Sequence, residues 1–148
     1  MASVPTELLL STFSTRVLGG KLVVFVCKPG LDIDDADWAV YVEWLKALQK
    51  RSPDIGILTA AGGRAPSAAQ RGMLNRELQA DRIRLAVLLS NPALIPIVRV
   101  TSWFLKGAAP FGAHEVEKAL AYLGETDVAG VRMAIRELGG FVHKKAAP

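Results

Sequence analysis

The run Gly62-Gly63-Arg64, with Ser67, Gln70 and Arg71 downstream, has the residue types and spacing of a binding turn. An apolar strand pattern (Ile55, Ile57, Leu58) leads into two glycines, which allow close backbone approach. Ser67 can accept from the first-turn amides of a helix, and Gln70 three residues on completes a capping box. Such a helix start aims N–H groups and a positive dipole end at one spot, to which Arg64 and Arg71 add charge. The matching chemistry is an anion or a polar group on a partner. No Gly-Lys-Ser/Thr follows, so this is not a Walker loop, and it is not a dinucleotide fingerprint.

Other reactive residue types are few. Asp32, Asp34, Asp35 and Asp37 open like a calcium loop, but no glycine and closing glutamate follow in register. Carboxylates crowding a helix start suit its dipole instead. Cys27 is the single cysteine, which excludes an intramolecular disulfide and a multi-cysteine metal site. His114 and His143 lack the spacing of a metal pair. Cys27 ends a Val-Val-Phe-Val-Cys run that reads as a buried strand, and no motif joins it to His114 as a nucleophile pair. The chain therefore reads as non-enzymatic, with no catalytic residue, metal or cofactor.

The elements that must position the turn follow from periodicity. Glu7 to Val17 reads as a strand, Gly19-Gly20 as a turn and Lys21 to Cys27 as a second strand, forming an antiparallel hairpin. Pro29-Gly30 breaks the pattern before a helix in which Trp38, Tyr41, Val42, Leu45 and Leu48 recur at helical spacing and which ends near Arg51-Ser52-Pro53. Ile55 to Ala60 is a short buried strand, Ser67 to about Leu78 a helix, and Ile83 to Leu89 another strand. Asn91-Pro92 opens an apolar helix to Phe104, bent at Pro96. Ala109 to Gly112 is a last strand. His114 to Leu123 and Asp127 to Leu138 are closing helices, the second capped by Thr126 and stopped by Gly139-Gly140. The order β-β-α-β-α-β-α-β-α-α predicts an α/β fold: a mixed four- to five-stranded β-sheet packed by helices. A single domain spans residues 1–148, its core about 7–139 and its tail, 142–148, flexible.

With 51% hydrophobic residues in 148, the chain has ample material for a core. Its formal charge of +4 is spread over several segments with acids between them, and no aromatic-basic interleaving marks a nucleic-acid platform. No run reaches ~18 apolar residues and no secretory signal pattern opens the chain. The expectation is a cytoplasmic protein whose contact with membranes is at most peripheral.

Thr59 to Arg71, and Ile83 to Leu123 with Ser90-Asn91, Thr101-Ser102-Trp103-Phe104, Pro110-Phe111 and Glu117-Lys118-Ala119-Leu120-Ala121-Tyr122-Leu123, resemble the SpoIIAA-like branch of the STAS superfamily, also described as STAS/SEC14-like. The likeness covers roughly Leu8 to Gly124. It implies a small non-enzymatic domain that binds a partner protein or an apolar or anionic ligand. In anti-sigma-factor antagonists of that superfamily a Ser in an Asp-Ser-Ser-Gly turn at this helix start is phosphorylated. Ser67 is the only Ser in the matching turn, and the Asp and paired Ser are missing.

The resulting expectation is a STAS-like regulatory or scaffolding domain acting through protein–protein binding, with a homodimer as a simple variant. Its surface would comprise Gly62, Gly63, Arg64, Ser67, Gln70, Arg71, Ser90, Asn91, Arg99, Trp103 and Phe104, an apolar patch rimmed by Arg64, Arg71 and Arg99. The alternative is an anionic-ligand or lipid module that places a head group at Ser67 and a tail under the helix 91–104.

Overall fold

The computed structural model describes residues 4–60, 65–90 and 108–139. The run Leu22 to Cys27 is apolar at every position because both of its faces are covered. Val23, Phe25 and Cys27 face one core, and Leu22, Val24 and Val26 face the other. This strand, β3 (Leu22–Cys27), lies inside a six-stranded sheet with β1 (Glu7–Leu9), β2 (Phe13–Leu18), β4 (Ile55–Ala60), β5 (Ile83–Leu89) and β6 (Ala108–Gly112). The spatial order is the chain order; β1–β2 and β2–β3 are antiparallel, and every later pair is parallel.

Four α-helices are found among the described residues: α1 (Asp35–Arg51), α2 (Ala68–Glu77), α3 (Val116–Leu123) and α4 (Val128–Glu137). The first two cover one face of the sheet, and α3 and α4 cover the other. On the α1 face, Phe13 and Phe25 stack at 4.6 Å between ring centroids, and Tyr41 lies 5.0 Å from Phe25 and 5.3 Å from Trp38. Burial pushes the Tyr41 phenol far above its ordinary pKa, with Cys27 adding to the effect. Trp44 donates its indole N–H to the Pro5 carbonyl at 2.7 Å, tying the chain ahead of β1 to α1.

The architecture is the expected α/β fold, with differences that have local causes. Six strands replace four to five, partly because the expected strand from Glu7 to Val17 is broken. Leu10 N–H closes a turn on Phe13 O (3.0 Å), and β1 folds back on β2. Thr12, in that turn, keeps one backbone bond toward β3, its carbonyl accepting from Lys28 N–H at 3.0 Å, while its N–H and hydroxyl both donate to Asp37 Oδ2, at 2.9 and 2.7 Å. Asp34 N-caps α1, accepting from Ala36 and Asp37. The helix expected from His114 begins at Val116, since Gly112 N–H binds Glu115 Oε1 (2.9 Å) and holds His114 in the turn. A Cβ on Gly112 would lie 2.9 Å from His114 Cε1, so the glycine makes room for that ring. The cap of α4 is Asp127, whose Oδ1 accepts from Gly130 N–H at 2.9 Å; the expected cap Thr126 contributes only its carbonyl, to Val128. The expected helix 91–104 and the tail 142–148 lie outside the described residues.

Thr15 is the one buried side chain in the described fold whose polar atom has no hydrogen-bond partner. It is fully buried on β2, paired with Leu8 and Phe25 across the ladder. Thr15→Val keeps the shape and removes the orphaned hydroxyl. It is expected to raise stability by about 1 kcal/mol, read as a higher urea midpoint at unchanged slope. A lower midpoint would mean that the hydroxyl is bonded.

Candidate functional site

The parallel strand β4 ends at Ala60, and α2 begins at Ala68, so the turn between them lies at the carboxyl end of the sheet. Ser67 is the N-cap, with extended backbone (φ −68°, ψ 167°). Its Oγ accepts from Gln70 N–H at 3.1 Å, and Gln70 Oε1 accepts from Ser67 N–H at 2.9 Å. The capping box read from Ser67 and Gln70 is thus formed, and it consumes the Ser67 hydroxyl as an acceptor.

Gln70 does more than cap. Only 4% exposed, it sends its Nε2 across to α1, donating to Ile33 O at 2.9 Å and to Asp35 Oδ1 at 2.8 Å. Its own carbonyl accepts from the Trp38 indole N–H at 2.8 Å. One residue therefore fastens the first turn of α2 to the first turn of α1. A buried primary amide with every polar atom engaged is stabilising only while all its bonds persist. Gln70, expected to touch a ligand, instead holds the site from beneath.

Above this brace, Ala65, Ser67, Ala68 and Ala69 are exposed. They present small side chains around the helix start, whose dipole is positive there. Arg71, expected on the rim of the patch, is half-buried, with Nη1 donating to Pro66 O at 2.8 Å. Ser90 is exposed just beyond β5. Gly62, Gly63, Arg64, Asn91, Arg99, Trp103 and Phe104 lie outside the described residues. Sequence reasoning missed Asp35 and Ile33 as neighbours of the turn, because they stand 35 and 37 residues from Gln70 and share no local pattern with it.

The electrostatics are mixed. Asp34 and Asp35 are exposed on the α1 side, and Asp35 reaches the α2 start through a single amide. An anion seated at Ser67 would feel the dipole of α2 in its favour and these carboxylates against it. Among the described residues no group of three or more His, Cys, Asp or Glu could hold a metal ion. Cys27 is buried on the α1 face of β3, and His114 sits in the turn before α3.

A concavity of about 360 Å³ opens at the opposite end of the sheet beside Lys21, Asp54, Arg82, Arg84 and Glu125. Its charges are matched. Arg82 forks onto both Asp54 oxygens at 2.9 Å and lowers that carboxyl's pKa, chiefly by hydrogen bonding. Lys21 lies 3.6 Å from Glu125. Arg84 donates to the Tyr122 carbonyl at 3.0 Å and lies over the Tyr122 ring, so it serves the C-terminal turn of α3. Such a cleft has no excess charge with which to draw an ion.

No helix among the described residues is long and apolar enough to cross a membrane. Ser67→Ala removes the side-chain half of the cap and is expected to lower stability by about 1 kcal/mol, measured by urea denaturation. A change near zero would show that the capping box carries no load.

Comparison with known proteins gives no significant match for this chain, whether among protein-family models, curated proteins or solved structures.

Proposed function

We propose that this chain is a STAS-like regulatory or scaffolding domain that acts non-enzymatically, in the cytoplasm, by binding another protein at the start of α2. The observation that carries this reading is the pairing of an exposed, small-residue surface with a buried brace. Ala65, Ser67, Ala68 and Ala69 stand outward, while Gln70 locks the same turn to α1 below them. A surface already rigid loses little conformational entropy when a partner docks. Short side chains also let a partner come close to the first-turn N–H groups.

Charge favours a protein over a small anion. The exposed carboxylate of Asp35, bonded to Gln70 at the α2 start, would repel a phosphate or carboxylate there. A protein surface can place a basic side chain against it and a polar group over the helix end. Leu31, 44% exposed two residues before Ile33, adds an apolar contact on the α1 side. The apolar run from Asn91 to Phe104, with Arg99, lies outside the described residues and enters the proposal on its sequence pattern alone. A second copy of the chain is the simplest partner, because two-fold contacts reuse one patch.

The test is affinity capture with the native chain and with Ala69→Arg, combined with native mass spectrometry of both. Ala69 is exposed, so the substitution should leave the melting temperature essentially unchanged. A captured protein or a homodimer should be weakened about tenfold or more by the added bulk, roughly 1.4 kcal/mol or more. A co-purifying molecule of small mass, with protein capture unaltered by Ala69→Arg, would overturn the reading in favour of a ligand-binding module.

A further inference from the structure

We infer that the buried side chain of Gln70 is a conformational relay: a disturbance of the Ser67 turn is transmitted through one amide group to the approach to α1, residues 31–37. The geometry is direct. Gln70 Oε1 holds Ser67 N–H at 2.9 Å, while Nε2 of the same planar amide holds Ile33 O at 2.9 Å and Asp35 Oδ1 at 2.8 Å. The main chain of Gln70 is fixed as well, by Ser67 Oγ on its N–H and the Trp38 indole on its carbonyl. Rotation of the amide to follow a displaced Ser67 therefore breaks both bonds to α1.

Two properties make this a switch-like link. At 4% exposure the amide has little water to replace lost partners, so partly bonded arrangements leave a buried polar group unsatisfied. The link is also short: a single side chain spans 35 residues of sequence, with no chain of intermediates. The bonded arrangement and a released one are thus the two discrete states that coupling between sites requires. Two other braces bear on this end of α1: the Trp38 indole on the Gln70 main-chain carbonyl, which does not pass through the amide side chain, and Thr12 on Asp37, which comes from the β1–β2 turn and is independent of Ser67.

The inference borrows from the proposed function only the identity of what would disturb Ser67; its test needs no partner. In Q70E the new carboxylate still accepts from Ser67 N–H, because Glu serves the capping box as well as Gln. It cannot donate to Ile33 O, and it faces the Asp35 carboxylate. The variant cuts the relay while keeping the cap. Amide spectra and hydrogen exchange of the full chain are recorded with and without S67A. In the native background S67A should shift the amide signals of residues 31–37 and speed their exchange about tenfold. In Q70E the added S67A should leave them unmoved, and in Q70E/D35N, where an asparagine amide can donate to the new carboxylate, the response should return. D35A, at an exposed position, removes one of the two acceptors of Gln70 Nε2 and is a second cut that must at least halve the response even if Q70E does not fold. Absence of a response at 31–37 in the native background, or a response undiminished in Q70E or D35A, would overturn the relay. A failed partner capture would leave it standing, and a failed relay would leave the contact surface standing.

Discussion

The side chain of Gln70 joins two helix starts that the sheet alone would leave independent. α1 and α2 each bury an apolar stripe on the same face, but that packing acts along their length, through residues such as Trp38, Leu45, Leu48, Leu74 and Leu78. It says little about how their N-terminal turns sit relative to each other. The amide of Gln70 fixes that relation with hydrogen bonds to Ser67, Ile33 and Asp35. Thr12 pins the α1 end again through Asp37. The exposed turn at Ser67 therefore rests on a polar frame more directional than hydrophobic packing.

That frame also decides the chemistry of the corner. Asp35, one of the carboxylates that favour the dipole of α1, is also the one brought to the start of α2, through Gln70. A chain with a formal charge of +4 thus presents a locally acidic flank where its sequence pattern, taken alone, suggests an arginine-rimmed site. Arg71 turns partly inward to the Pro66 carbonyl and stiffens the turn. At the other end of the sheet, cations and anions neutralise one another around a shallow cleft, and Arg84 closes α3. Recognition by shape, with local charge setting orientation, fits this distribution better than capture of an ion.

Local signals in the sequence were reliable where a single element determines its own ends. The acidic cluster from Asp32 and the stop near Arg51-Ser52-Pro53 bracket α1, the Ser67–Gln70 spacing gives the start of α2, and the apolar runs at β4 and β5 coincide with the strands. Signals failed where a distant residue intervenes. The apparent strand from Glu7 to Val17 breaks at a tight turn, where Leu10 N–H meets Phe13 O and Thr12 also bonds Asp37, a residue 25 positions away. The choice between Thr126 and Asp127 as a cap turned on which oxygen meets Gly130 N–H, a matter of one residue. The start of α3 slipped because Glu115 binds back to Gly112. For the site, the capping role of Gln70 was legible in the triplet spacing. Its reach to Ile33 and Asp35 was not, since nothing in either segment marks the other.

The central claim is that recognition takes place on the braced corner formed by the starts of α2 and α1. The most direct measurement is hydrogen exchange of the chain alone and saturated with its captured partner, or, for a self-associating chain, across a dilution series. The account predicts new protection concentrated at residues 65–71 and 31–37, with α3 and α4 unchanged. Protection confined to α3, α4 or the cleft beside Arg82, with the Ser67 turn exchanging as before, would contradict it.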